Sequence, residues 1–246
     1  MAMLRRNEQQ SLTPFEGANM LAMAGGGIGS DFLTVGELSV EPGRISAYHI
    51  HPNTEESIYV LSGDIEFRIG GNRFRVSSGD CVLAKRGIGH GLQNVGSTTA
   101  RLITMYPHPS PERQEIPEVN FVDTEPNNGI FIQGKAKSFE FAPGVSRLDM
   151  IGDFAGSEST YFSELTFNPG SIAPNHYHPA HEEAMYCMSG NLTAVYADDN
   201  DIPMFAGDIF TCEPGIRHGI YNKSSEQAKL LAMHPVLNPP PRVETD

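Results

Sequence analysis

Eight residues in two matching quartets carry the chemistry open to this chain. One quartet is His49, His51, Glu56 and His90; the other is His176, His178, Glu183 and His218. Within His49-Ile50-His51 and His176-Tyr177-His178 the histidines stand two apart. Side chains alternate faces along a strand, so both imidazoles of a pair leave on the same side. Glu56 and Glu183 each follow five residues later. A turn at Pro52-Asn53 lets the next strand return and aim its carboxylate at the same point. His90 lies beyond the turn Arg86-Gly87-Ile88-Gly89 and supplies a third nitrogen. Three neutral imidazoles and a carboxylate suit a transition ion: imidazole fits Zn, Cu, Fe or Ni, and carboxylate adds Mn. An octahedral ion so held keeps two positions for water, substrate or oxygen.

The elements that must position these residues occur twice. Residues 49–63 read HIHPNTEESIYVLSG and residues 176–190 read HYHPAHEEAMYCMSG, identical at eight of fifteen positions at an offset of 127. Upstream, Glu37, Leu38, Pro42 and Gly43 match Glu164, Leu165, Pro169 and Gly170. Downstream the offset is 128, as if one residue were inserted after Gly190; it aligns His90 with His218, Asn94 with Asn222 and Met105 with Met233. A period this long means two copies of one domain. We divide them at 1–118 and 119–246, within a proline-dense connection beginning Pro107-His108-Pro109. Ile130-Phe131-Ile132, after it, is apolar enough for a strand that can pair with either half. Phe32 to Val35, Ile58 to Leu61, Ile65 to Ile69 and Arg101 to Met105 are rich in β-branched or aromatic residues and separated by turn signals. The expected class is all-β, with each half a sandwich or barrel.

Bulk properties narrow the function. The 246 residues carry a net charge of -13, which repels a phosphate backbone, so nucleic acid is not an expected partner. Lys and Arg form no dense cluster and no apolar run reaches 18 residues, so no membrane association is expected. Cys81, Cys187 and Cys212 are odd in number and form no CxxC pair, which suits free thiols in the cytoplasm. The start of the chain turns polar at once and lacks a signal-peptide core. The expected partners are a small-molecule substrate and, through exposed barrel edges, a second copy in a homodimer.

With these residues in place, the chain resembles the bicupins, proteins with two cupin domains. Gly43, His49, His51, Glu56 and Gly63 fit the first cupin motif, as do Gly170, His176, His178, Glu183 and Gly190. Gly79, Gly87, His90 and Asn94 fit the second, as do Gly207, Gly215, His218 and Asn222. The proline of that motif is replaced by Lys85 and Glu213, which affects a turn and no ligand. The resemblance implies two tandem double-stranded β-helix barrels of jelly-roll type, each with one divalent transition metal in its lumen. Fe(II) is favoured; Mn, Ni, Zn, Cu and Co remain open. The family includes oxygenases, decarboxylases, isomerases, cyclases and seed-storage proteins. An O2-using dioxygenase ranks first. A metal-dependent isomerase or cyclase is the alternative, then a non-catalytic small-ligand binder. In bicupin oxalate decarboxylases an arginine three residues after the first motif glycine binds the substrate. Ser46 and Ala173 stand there, which argues for a larger, partly hydrophobic substrate.

No catalytic residue beyond the ligands is assigned. Glu55 and Glu182 point away from the metal by alternation and are read as solvated or rim carboxylates. The same parity places Ile58 and Val60 in the first lumen and Met185 and Cys187 in the second. The more polarisable second pocket is preferred for the chemistry, with the first as a structural or accessory site. The cysteines are read as small core hydrophobes, and His181 as a solvated loop residue. His108 and His234 receive no role. The run Ala24-Gly25-Gly26-Gly27-Ile28-Gly29 is read as a flexible turn, since no helix opens after it.

Overall fold

A computed structural model describes residues 3–127, 129–197 and 200–244 of the chain. It is all-β. Among the described residues the only helical segments are short 3-10 turns at Arg6–Glu8, Gln133–Lys135 and Asp153–Ala155. Among the same residues no helix is long and apolar enough to cross a membrane. Each half is built from two sheets. In the first half Glu56–Ser62 lies between Cys81–Ala84 and Ala100–Tyr106, facing a smaller sheet that carries His49–Ile50 and His90–Asn94. In the second half Glu183–Ser189 lies between Ile209–Cys212 and Ala228–His234, facing a sheet that carries Ile172–Tyr177 and His218–Tyr221.

The central strand of each large sheet is buried on both faces, and alternation gives each face its own task. Ile58 and Val60 lie in the core of the first lumen, Met185 and Cys187 in that of the second. The intervening Tyr59, Ala184 and Tyr186 point outward into a third core. That core joins Cys81, Leu83, Ile103 and Met105 of one half to Phe162, Ile209, Leu231 and Met233 of the other. The two large sheets therefore pack face to face. All three cysteines are free and buried, as expected for small core hydrophobes.

Polar groups in this interface are paired across the halves. The Tyr59 hydroxyl donates to Glu164 at 2.7 Å, and the equivalent Tyr186 donates to Glu37 at 2.9 Å. Glu37 also accepts from Arg6 and Arg101, and Glu164 from Lys229. Glu55 and Glu182 do point away from the quartets, but they are buried rather than solvated. Glu55 accepts from the Ser157 hydroxyl at 2.5 Å and the Glu158 and Ser159 amides at 3.0 Å; Glu182 accepts from the Asp31 amide at 3.2 Å. The face opposite the metal in this fold is another barrel, not water, so these carboxylates close each half onto a loop of its neighbour.

Sheet edges are exchanged as well. Met3–Leu4, at the start of the chain, pairs with Ile209 and Phe210 of the second half, while Ile130–Phe131 pairs with Cys81 and Val82 of the first. Val122–Asp123 also pairs with the first half, so the connector returns to that barrel beyond the division drawn at residue 118. These two edges are thus covered by strands of the same chain. The offset changes inside a hairpin: Asp64–Ile69 and Asn72–Ser77 meet across Gly70 and Gly71, whereas their equivalents Asn191–Tyr196 and Asn200–Phe205 are separated by residues 197–199. The glycine run is only partly a turn, because residues 24–26 continue the strand Ala18–Gly26.

Two motif positions owe their identity to this packing. Gly63 and Gly190 have φ of 97° and 76°, and a Cβ on either would come within 2.8 Å of Ala100 or Ala228. Asn94 and Asn222 each donate to two backbone carbonyls, Val40 with Thr98 and Phe167 with Glu226, tying the barrel ends together.

Burial opposes the charge on Glu37, yet hydrogen bonds from Arg6, Arg101 and Tyr186 outweigh it and hold the carboxyl below its ordinary 4.5. Its contribution to stability is therefore complete above the unfolded pKa and is lost as pH falls through the folded one. We expect Tyr186→Phe to cost about 1.5–3 kcal/mol in denaturant unfolding at neutral pH, the range for a hydrogen bond to a charged group. Glu37→Gln should flatten the acid limb of stability against pH; an unchanged limb would remove Glu37 from the interface ledger.

Candidate metal centres

The two quartets assemble as the strand parity requires. In each, one ligand atom per residue lies within 4.8 Å of the other three, and all eight residues belong to the same two clusters read from the sequence. His49 and His90 face each other across neighbouring strands, and His176 and His218 do the same. Glu56 and Glu183 open the adjacent central strands.

Hydrogen bonds fix the ring orientations. Nδ1 of His49, His51, His90, His176 and His218 lies 2.6–3.0 Å from the carbonyls of Ala47, Glu112, Ile88, Pro174 and Ile216 respectively. A carbonyl only accepts, so Nδ1 carries the proton and Nε2 turns inward. Nε2 of His90 is then 2.9 Å from Glu56 Oε2, with His51 Nε2 at 3.3 Å. In the other half His218 and His178 approach Glu183 Oε2 to 2.9 and 3.0 Å, and His176 to 3.8 Å. An unprotonated Nε2 and a carboxylate oxygen are both acceptors, so their convergence calls for a cation or for protons between them. A divalent ion meets that need with the donors it prefers. These residues fit a bound transition metal.

Electrostatics agree. Protons on His51 and His90 can take the place of an ion: they offset the burial of the Glu56 carboxylate and hold its pKa well below the ordinary range. Glu183 is likewise held low against burial by His234 and the three quartet histidines. Burial, aided by His90, pushes His49 down to about 4, which keeps it neutral and able to ligate.

The surroundings of the quartets differ. The first lumen leaves a cavity of about 90 Å³, the second one of about 530 Å³. The duplication accounts for the difference. Phe15 and Phe67 line the first cavity, and the residues at their places in the second half are Ala142 and Ala194. The second cavity is walled by Phe141, Tyr161, Arg147 and Arg242. Arg242 lies over the Phe141 ring at 4.6 Å, and Arg147 over Tyr161 at 5.1 Å. Position 173 carries no cation, but Arg147 and Arg242 bring two to the wall of this cavity. The sequence offered no spacing that marks these arginines, because one lies in the strand Val145–Ile151 and the other some 95 residues later, just before Val243–Glu244.

Three further residues at the quartets escaped the sequence reading. The Tyr106 hydroxyl donates to Glu56 Oε1 at 2.6 Å. His234, at the matching place, lies 3.6 Å from Glu183 Oε1 and is buried beside it. Parity along Ala228–His234 carried that signal: Leu230 and Ala232 face the lumen, so His234 does too. His181 is 2% exposed, not solvated, with its ring centroid 4.4 Å from that of His178. His108 lies outside both clusters and accepts from the Ser110 amide.

Comparison with known proteins follows the same division. The cupin domain family matches residues 36–106 and again 163–234, more than half of the chain. The chain belongs to the cupin family. Each match carries one quartet, so it is a bicupin. Among its relatives, the tetracenomycin polyketide synthase protein TcmJ of Streptomyces glaucescens is 30% identical over 41% of this bicupin and 63% of that protein, short of two thirds of its length. Quercetin 2,3-dioxygenase of Bacillus subtilis (strain 168) is 22% identical over 86% of this chain and 75% of its own. Oxalate decarboxylase from Bacillus subtilis superposes with a TM-score of 0.81 at 16% identity, covering 99% of this chain and 78% of that one. The Lactobacillus farciminis oxalate decarboxylase does so at 0.81 and 15%, with 99% and 88% covered. At those identities the likeness establishes the shared fold.

Each quartet is expected to hold one ion. By elemental analysis of dialysed protein, His49→Ala should lower the metal content by one ion per chain and leave the second barrel's content intact. Loss of every ion from that single change would contradict independent sites.

Proposed function

We propose that this bicupin is a metal-dependent enzyme whose second barrel turns over a planar, oxygen-bearing organic molecule, with O2-dependent oxygenation as the reaction. The observation that carries the reading is the contrast between cavities of about 530 and 90 Å³ around near-identical ligand sets. Only the larger falls in the usual range for small-molecule sites. The smaller leaves the first quartet an accessory or structural role.

The chain's own residues supply recognition. Phe141 and Tyr161 give the cavity aromatic surface, and the Arg147 and Arg242 guanidiniums, stacked on these rings and paired with Asp149 and Glu244, keep further N–H donors for a phenolate or carboxylate oxygen. Leu165, Phe167 and Ile220 line the rest of the cavity with apolar surface and limit water at the ion. Glu183, His176, His178 and His218 line this same cavity and would hold the ion where a substrate could reach it. A bound ion there supplies Lewis-acid polarisation and, if it is Fe(II), the ion proposed here, redox chemistry with O2. Similarity to a quercetin 2,3-dioxygenase along most of the chain favours the oxygenase. Similarity to proteins of polyketide synthases favours a second reading, in which the same cavity isomerises or cyclises its substrate without oxygen.

A flavonol such as quercetin is the first substrate to try, with an oxygen electrode as the detector. We expect oxygen uptake matched to substrate loss. Full turnover under anaerobic conditions would end the oxygenase reading and leave the isomerase. Ala194→Phe, which restores the ring found in the first lumen, should lower turnover by tenfold or more while the metal content stays unchanged. Arg242→Ala should raise KM more than it lowers kcat.

A further inference from the structure

The duplication is broken at three linked points around the second quartet. First, His51 Nδ1 donates to the Glu112 carbonyl at 2.6 Å, whereas Nδ1 of the equivalent His178 is buried and has no hydrogen-bond partner. Second, Thr54 of the first half is replaced by His181. Third, Tyr106 is replaced by His234. His178 is therefore the one quartet histidine whose outer nitrogen is spare, and two new histidines stand beside it.

The three rings form a cluster of their own. One nitrogen from each of His178, His181 and His234 lies within 4.8 Å of the other two. Ring centroids are 4.4 Å apart for His178 and His181, and 5.2 Å for His234 with either of them. All three side chains are buried, His181 at 2% exposure. Neither nitrogen of His181 has a hydrogen-bond partner, nor has Nδ1 of His234. Four unsatisfied imidazole nitrogens in one buried cluster is an arrangement a folded protein rarely leaves uncompensated. Water can satisfy one or two of them. A divalent cation satisfies three at once, and imidazole is the donor it prefers.

We propose that His178, His181 and His234 form an additional metal-binding site in the second barrel, with His178 shared between it and the quartet. This rests on the quartets binding metal. When a second ion binds the spare nitrogen, His178 gives up its ring proton to solvent and becomes an imidazolate held between two cations. The site has three nitrogen donors and no carboxylate of its own, which favours Zn(II), Cu(II) or Co(II) over Mn(II). The first half, with threonine and tyrosine at these places, has no such site. The second barrel thus holds two ions and the first barrel one.

The test is reconstitution of metal-free protein with Zn(II), followed by dialysis and elemental analysis. Wild type should retain three ions per chain. His181→Ala and His234→Ala should each retain two, while the metal-free variants melt within a few degrees of wild type. His181→Asn serves if the alanine variant does not fold. With Co(II) as the probe, electron paramagnetic resonance should show magnetic coupling between two of the three ions, absent from either variant. Two ions in wild type and in both variants would overturn the additional site and leave the quartets standing. Fewer than two in wild type would overturn the quartets, and this site with them. Three uncoupled Co(II) ions would place the third elsewhere and overturn the shared histidine.

Discussion

The structure depends on a strand that is buried on both faces. Glu56–Ser62 and Glu183–Ser189 each lie at the heart of a sheet with a lumen on one side and the neighbouring barrel on the other. A two-residue period leaves no freedom in this arrangement: a slip by one residue would turn Glu56 to the interface and Glu55 to the lumen. The slip is opposed from both sides at once. The quartet histidines gather around Glu56, while Glu55 is engaged by Ser157, Glu158 and Ser159 of the other half. Adjacent glutamates thus serve as a member of the quartet and an inter-barrel anchor, and each fixes the register the other requires.

The second consequence is that the halves fold as parts of one body. Their shared core is apolar, and its polar groups are arranged reciprocally, Tyr59 with Glu164 and Tyr186 with Glu37. The edges are exchanged too, since each large sheet ends on a short strand contributed from outside its own duplicated core. Burying carboxylates is costly unless each is paired, and here one donor to each, a tyrosine hydroxyl, comes from across the interface. A lone half would expose apolar surface and leave Glu37 and Glu164 short of hydrogen-bond donors.

Duplication then separates scaffold from pocket. The strands, ligand positions and motif glycines and asparagines are held in common, because the barrel cannot close without them. The lumen is under no such constraint. Exchanging Phe15 and Phe67 for Ala142 and Ala194 empties one barrel, and exchanging Thr54 and Tyr106 for His181 and His234 changes what surrounds its carboxylate. The same ligand geometry therefore supports a nearly filled site in one half and an open one in the other.

The sequence alone determined the fold class, the duplication and the eight quartet residues. These follow from local rules: a period of two along strands, turn residues between them, and a repeat that marks both copies. It also placed Ile58, Val60, Met185 and Cys187 by parity, and His234 was legible by the same rule along its own strand. What lies opposite a face was not legible. Glu55 and Glu182 look solvated until a second barrel covers them, and His181 looks like a loop residue until the loop folds over His178. Cavity volume and the gathering of Arg147, Tyr161 and Arg242 around it were likewise decided only in three dimensions. Each depends on segments far apart in the chain meeting at one wall, and no local pattern encodes which segments meet.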